Sequence, residues 1–445
     1  MQATDKFGKD KLSSLLWGQA VPASVGILVM SIYGIVDTIF IGRWVGGLGI
    51  GAITVVMPIT FLMASVGMSI GIGGASLIAR FLGAQDRTNT NSTFGNQILA
   101  TLTIAISFAI LGAVYKEEFL LLFGANGDIY PYAEEYYDIV LWGIPFLAWS
   151  MMSNNVIRTI GYPRLAMFTL LIPAVVNIVL DPILIAYLDM GMEGAAWATT
   201  ISYIMGASYT LWFFGFKQKE LQITISHLIP QWGLMKQIFS LGAVTFSRQG
   251  VVSLLSIVLN NSLFALGGEQ AMSVYGILSR ILMFANFPVL GITQGFVPIL
   301  GYNYGAKLWE RVESLTKLAI RHSTMTALSI FTLLMVFTSQ VVSLFTTDEI
   351  LIADSTSALR IMFLATPLIS INLIGSAYLQ SVGKALPALL LALSKQGILL
   401  IPLILILPKF CGLDGIWLSF PLADTGAALI TWTYFKIKEK NVSLL

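Results

Sequence analysis

Long apolar runs alternate with short polar connections from one end of the chain to the other. A helix that crosses the hydrocarbon of a bilayer needs about 20 apolar residues. Twelve stretches meet that length, at roughly 15–41, 50–80, 92–114, 134–158, 164–187, 194–216, 236–266, 271–302, 314–345, 355–382, 386–409 and 412–435. Membrane strands would alternate apolar and polar positions over about ten residues, whereas these runs are unbroken and predict helices. Several exceed the minimum, which permits tilt or bending without fixing an angle. Gly161, Tyr162 and Pro163 break the chain inside the short Arg158–Arg164 connection, as turn residues do. No connection is long enough for a water-soluble domain. The expected fold is an all-α polytopic membrane protein with twelve transmembrane helices.

The ends fit that picture. Residues 1–14 are polar, with Lys6, Lys9 and Lys11, and the apolar run behind them is nearly 30 residues long. A cleavable signal has an apolar run of about 7–15 residues, so this one is read as the first span. An even number of spans puts both termini on one side. With that side cytoplasmic, eighteen basic residues face inward: Lys6, Lys9, Lys11, Arg80, Arg87, Arg158, Arg164, Lys217, Lys219, Lys236, Lys307, Arg311, Lys317, Arg321, Lys384, Lys436, Lys438 and Lys440. Arg43, Lys116 and Lys409 alone face outward. The asymmetry satisfies the positive-inside rule and places the chain in the plasma (inner) membrane with both termini cytoplasmic.

Composition narrows the function classes. Of 445 residues, 56% are hydrophobic and 11% charged, and mean hydropathy is +0.81. Soluble proteins carry roughly 25% charged residues, so disorder, coiled coil and nucleic-acid binding drop out. The net charge of +2 offers no electrostatic partner. Cys411 stands alone, and the two histidines, His227 and His322, lie in polar stretches. No metal, disulfide or histidine-based active site is expected, and no cofactor. A phosphate-binding loop is missing too, since Gly383-Lys384 lacks the upstream glycine and the hydroxyl residue of that motif.

The two halves repeat. Gly73 recurs as Gly295, Gly83-Ala84 as Gly305-Ala306, Pro145 as Pro367 and Gly161 as Gly383, all 222 residues apart, and Gly191–Gly194 recurs as Gly412–Gly415 at 221. Glycine and proline shape the backbone of a membrane helix, so their shared register implies two six-helix bundles, residues 1–222 and 223–445. Six spans per repeat keep both in one orientation, related by a pseudo-twofold axis along the membrane normal, as in alternating-access transporters.

Three acids remain inside the spans: Asp37, Asp181 and Asp424. Each costs roughly 2.5–3.5 kcal/mol at mid-helix and marks function or a partner. Asp37 and Asp181 lie at comparable depth in the outer half of the first bundle. Tyr33 precedes Asp37 by four residues and Asn177 precedes Asp181 by four, so each pair shares a helix face. Thr199 reaches the same depth from the outer end of helix 6. Two carboxylates, an amide and a hydroxyl make an oxygen-rich site suited to protons or a hard cation. Asp424 has another prospect. Lys395 and Asp424 lie at depths that differ by roughly 3 Å on adjacent antiparallel helices, which permits a buried ion pair; the competing reading has Asp424 facing a cavity of the second bundle and contacting a cationic substrate. Arg248, Arg280 and Arg360 either face the cleft or, the preferred reading, snorkel to the interface, and Met151, Met152 and Met205 are read as packing, with Met152 also a candidate for adaptable ligand contact.

These segments resemble one family. Tyr33-Gly-Ile-Val-Asp37-Thr-Ile-Phe-Ile-Gly42, Arg80-Phe-Leu-Gly-Ala84, Asn177-Ile-Val-Leu-Asp181-Pro182 and Gly295-Phe-Val-Pro-Ile-Leu-Gly301-Tyr-Asn-Tyr-Gly305-Ala306 are similar to the multidrug and toxic compound extrusion (MATE) transporters, closest in wording to the MepA-like branch. The resemblance covers nearly the whole chain. It implies two six-helix lobes around a central cleft and export of small amphipathic, often cationic compounds in exchange for H+ or Na+. It implies that Asp37, Asp181, Asn177 and Thr199 hold the coupling cation and that helix 1 hinges at Pro22. Tyr33, Tyr136, Met152, Asn154 and Asn155 are candidates for the substrate cavity, partly by resemblance. Another branch carries acids in helices 7 and 10, where this chain has Asn260-Asn261 and Ser370-Ile371-Asn372, so that second cation site is not expected. The partners are then the bilayer and small amphipathic molecules, with the chain acting as a monomer. The rival reading is a flippase for a lipid-linked oligosaccharide precursor, which calls for a basic cavity where the clearest cluster here is acidic.

Overall fold

In a computed structural model the chain is described over residues 4–218 and 220–438. Lys219 and Lys440, two of the basic residues counted above, lie outside the described residues. Every element there is helical. The long helices in chain order are α1 (Leu12–Trp44), α2 (Gly47–Gly83), α3 (Arg87–Val114), α4 (Ile129–Thr159), α5 (Pro163–Tyr187), α6 (Gly191–Trp212), α7 (232–267), α8 (269–305), α9 (Trp309–Val336), α10 (Glu349–Met362 and Thr366–Ser381), α11 (Ala385–Ile406) and α12 (413–438). Seven uninterrupted helical stretches are long and apolar enough to cross a membrane, and the two pieces of α10, bent by 42°, make an eighth. One of those seven is the 74-residue run holding both α7 and α8, while α4, α6 and α12 are more polar spans. The total of twelve agrees with the hydropathy pattern.

Gly268 separates α7 from α8, and Gly412 opens α12, each with a positive φ (60° and 58°) inside an otherwise continuous helical run. Only a residue without Cβ takes that conformation cheaply. The positive-φ positions themselves repeat. Gly46 pairs with Gly268, Gln85 with Lys307 and Gly161 with Gly383 at 222 residues, and Gly191 with Gly412 at 221. The internal repeat is therefore a repeat of backbone geometry.

The chain forms two compact units. Among the described residues, unit 1 contains Val25–Gly242 with Thr4–Lys6, and unit 2 contains Phe7–Ser24 with the chain from Ala243 to Lys438. Relative to halves at 1–222 and 223–445, the first part of α1 joins unit 2 and the first part of α7 joins unit 1. In unit 1, a Cβ on Gly73 of α2 would strike the Ile238 carbonyl of α7. In unit 2, a Cβ on Gly295 of α8 would lie 2.9 Å from Ala20 N and Gln19 Cβ of α1. The same repeated glycine thus admits the opening turns of α7 in one unit and of α1 in the other.

Within unit 1, α2 and α4 touch backbone to backbone. A Cβ on Gly67 would strike the Ala148 carbonyl and lie 2.9 Å from its Cα. Gly67→Ala should destabilise the protein by about 1–3 kcal/mol through overpacking, read as a lower thermal midpoint in detergent. Gly18→Ala, with nothing within 4 Å, should leave that midpoint unchanged or raise it, since alanine is the better helix former.

Candidate functional site

The half of unit 1 in which α1 and α5 end brings together two of the acids within the spans. The α-helical part of α5 ends at Asp181, and Pro182–Tyr187 continues as a π-helix. Proline supplies no N–H to the preceding turn and its ring crowds the carbonyl behind it, so a widened turn follows Asp181 directly. Such bulges recur at functional sites. Gly194 of α6 packs on this segment, where a Cβ would lie 2.7 Å from Leu184 C. Farther along α6, Gly206 lies on the face that bears Thr199, and a Cβ there would lie 2.7 Å from Pro173 Cγ of α5.

Asn177 and Asp181 are both fully buried, and Asn177 Nδ2 donates to Asp181 Oδ1 at 3.2 Å. Asp37 of α1 is buried as well, near enough to Asp181 for the two carboxyls to interact electrostatically. Asp37 Oδ1, Asp181 Oδ2 and Asn177 Oδ1 are buried oxygens that accept no hydrogen bond from the described residues. Across from them, the Tyr136 hydroxyl of α4 lies 3.3 Å from Thr199 Oγ1. Tyr33 stands close enough to feel both carboxylates, and Tyr136 does too. The cluster is short of donors: three acceptor oxygens converge with nothing to satisfy them. Buried polar atoms are normally paired, so this arrangement suits a proton or a cation.

The sequence reading omitted Tyr203, which lies near enough to Tyr33 and Asp37 to interact with both electrostatically. Its signal was available, because Tyr203 follows Thr199 by one helical turn, the spacing that relates Tyr33 to Asp37.

Three other candidates lie elsewhere. Asn154 donates to the Ala166 carbonyl at 2.6 Å and to Thr169 Oγ1 at 2.7 Å, and accepts from Arg158 at 3.1 Å. It ties α4 to the opening of α5, with Thr169 eight residues, about 12 Å, short of Asn177. Met152 is fully buried against α2, where a Cβ on Gly71 would lie 2.9 Å from its Cα. Asn155 donates to the Met151 carbonyl of its own helix at 3.0 Å. Pro22 is buried within α1, which remains helical through it.

Unit 2 holds a different polar core. Lys395 Nζ lies 2.5 Å from Asp424 Oδ1, with the Asp424 side chain 5% exposed and that of Lys395 21%. Lys395 sits in a π-helical turn, Ser394–Leu400. Asn372 of α10 holds that turn by donating to the Leu391 carbonyl, Ser394 Oγ and Thr431 Oγ1, each at 3.0 Å. These bonds join α10, α11 and α12 around the ion pair. At the position of a helix 10 acid in the other branch, Ser370 accepts a hydrogen bond from Ser323 at 2.9 Å.

A repeated six-helix frame with paired carboxylates buried in one unit defines a multi-span membrane transporter, not an enzyme. The MatE family model matches residues 22–183 and again residues 245–406, one match per repeat, and the chain belongs to the MatE family. Among its relatives is the multidrug export protein MepA of Staphylococcus haemolyticus (strain JCSC1435), 28% identical over 411 residues, covering 92% of this chain and 90% of the relative. MepA of Staphylococcus aureus (strain MRSA252) is 26% identical over 425 residues, covering 95% and 93%. Crystal structures of MATE in the straight and the bent conformation each superpose with a TM-score of 0.91 at 24% identity. They cover 98% and 99% of this chain, respectively, and 98% of each solved chain.

Removing one partner of a buried ion pair costs about 3–5 kcal/mol, because the other charge is left without compensation. Lys395→Met alone or Asp424→Leu alone should therefore lower the thermal midpoint and expression, and the double replacement should recover much of both. A double variant no better than the worse single one would argue against the pair as a structural tie.

Proposed function

We propose that this chain exports small amphipathic, often cationic, compounds across the plasma membrane in exchange for H+ or Na+. It works as a single chain with both termini in the cytoplasm. The observation that carries the reading is the donor-poor meeting of Asp37 and Asp181 inside membrane-spanning helices. The names of the relatives, multidrug export proteins, support the same cargo.

The coupling chemistry follows from electrostatics. Two carboxylates in a poorly solvated site repel each other strongly, because the low dielectric weakens screening. One H+ or Na+ relieves the repulsion, with Asn177 and Thr199 offering further oxygens to the cation. Emptying the site restores the repulsion. A transporter whose two orientations differ in how well they satisfy this pair therefore couples cation entry to the conformational cycle, since a ligand shifts an equilibrium only by its differential affinity.

In proteoliposomes, Asp37→Asn and Asp181→Asn should each reduce drug-dependent cation flux to background while the protein keeps its elution profile and thermal midpoint. Separate imposed H+ and Na+ gradients identify the coupling ion. Full drug-coupled flux in either variant would remove the pair from the mechanism. Pro22→Ala restores a backbone N–H to α1 and stiffens it. It should leave drug affinity unchanged and slow turnover, as measured by equilibrium binding beside initial export rates.

A further inference from the structure

The intramembrane arginines do not behave alike. Arg280 and Arg360 are exposed, as snorkelling side chains are. Arg248 lies on α7 twelve residues past position 236, roughly 18 Å into the span, and is only partly exposed. At about 100° per residue, Val244, Leu255 and Leu259 project to the same side of α7 as Arg248, and all three are buried in unit 2. The guanidinium is therefore carried on the inward face. Among the described residues no carboxylate is paired with it, since Asp424 is already matched by Lys395.

The repeat explains how unit 2 makes room for so large a side chain. At the 222-residue offset, Arg248 corresponds to Gly26 and Ala392 corresponds to Leu170. In unit 1 the Gly26 position is filled by Leu170, whose Cδ1 lies 3.0 Å from where a Cβ would be. Unit 2 exchanges the sizes, with the large residue on α7 and the small one on α11. On one flank of Arg248, Gln249, Ser253, Ser256 and Asn260 recur at helical spacing and are all exposed. Arg248 itself is partly exposed, so a solute can reach the guanidinium.

We propose that unit 2 carries an anion-recognising subsite centred on Arg248, which takes the carboxylate of an amphipathic zwitterion. Arginine presents a planar fork that matches a carboxylate bidentately, and its charge persists at every working pH. The exposed Gln249 amide lies beside it, while the Ser253 and Ser256 hydroxyls donate to the Gln249 and Val252 carbonyls of their own helix. The choice of an amphipathic ligand rests on the export reading; the subsite itself rests on Arg248.

The test uses the full chain in lipid nanodiscs and two fluorescent probes. One is a cationic xanthene dye with a free carboxyl group, and the other is its methyl ester. Arg248→Gln should weaken binding of the carboxyl dye by about tenfold while changing the ester by less than about twofold. Arg248→Lys should retain most of the carboxyl-dye affinity. Equal weakening of both dyes by Arg248→Gln, or no change in either, would overturn the subsite. Should that variant bind neither dye because it misfolds, competition in the unaltered protein decides. There an aromatic carboxylate should displace the carboxyl dye and leave the ester bound, and failure to discriminate overturns the proposal. Binding needs no gradient, so failure of ester export in proteoliposomes would count against the export reading and leave the subsite standing.

Discussion

Hydrocarbon offers no hydrogen bonds, and every backbone N–H and C=O inside it must be satisfied within the protein. That constraint makes the described chain helical throughout and confines positive-φ residues to turns between helices. It also makes each departure from the α-helical ladder informative, since the ladder is the cheapest solution available. The π-helical turns include Pro182–Tyr187, which begins immediately after Asp181, and Ser394–Leu400, which contains Lys395. A π turn shifts side chains out of the regular register and frees backbone acceptors. In both units, the irregular backbone thus coincides with intramembrane ionisable groups.

The same constraint separates polar residues that carry function from those that do not. Many hydroxyls here bond to a carbonyl one turn back on their own helix, among them Ser24 to Ala20, Thr38 to Gly34, Ser76 to Ile72, Thr316 to Val312 and Ser419 to Gly415. Such residues satisfy themselves locally and need no partner or ligand. A carboxylate has no donor to offer a carbonyl when charged, and the helix backbone has no free N–H to offer in return. Asp37, Asp181 and Asp424 therefore depend on other side chains. Asp424 has its ammonium, whereas the other two have each other and an amide already engaged on one oxygen.

Much of this was legible in the chain. Runs of about 20 apolar residues and the repeated glycines located the spans and the repeat, because length and backbone shape are set by residues that are easy to recognise. The faces of Tyr33–Asp37 and Asn177–Asp181 followed from helical spacing alone, and equal depth on adjacent helices was enough to pair Lys395 with Asp424. What spacing leaves open is rotation about the helix axis. Asn154 and Met152 looked free to line a cavity, yet one is bound to α5 and the other lies against α2. Arg248 was assigned to the interface for the same reason. Its inward direction emerges only when the buried residues of α7 are known. The exchange of opening turns between the units had no sequence signal either, since a glycine that admits a neighbouring helix does not name it.

The repeat copies backbone and leaves chemistry free. At the 222-residue offset, Asp37 corresponds to Leu259 and Asp181 to Leu403, and Leu259 is fully buried in an apolar cluster. Conversely, Lys395 corresponds to Pro173, and Asp424 corresponds at 221 to Tyr203. Gly73 and Gly295, like Gly194 and Gly415, are shared because a Cβ there would meet backbone, and moving backbone disturbs a whole helix pair, whereas Gly46 with Gly268 and Gly191 with Gly412 share a positive φ. An inward-facing side chain meets other side chains, and a compensating change on one neighbour suffices, as Gly26 with Leu170 against Arg248 with Ala392 illustrates. Two units of one frame can therefore carry opposite charges in their interiors. Paired acids in unit 1 provide for a cation, while unit 2, with its single acid neutralised by Lys395, retains the positive charge of Arg248.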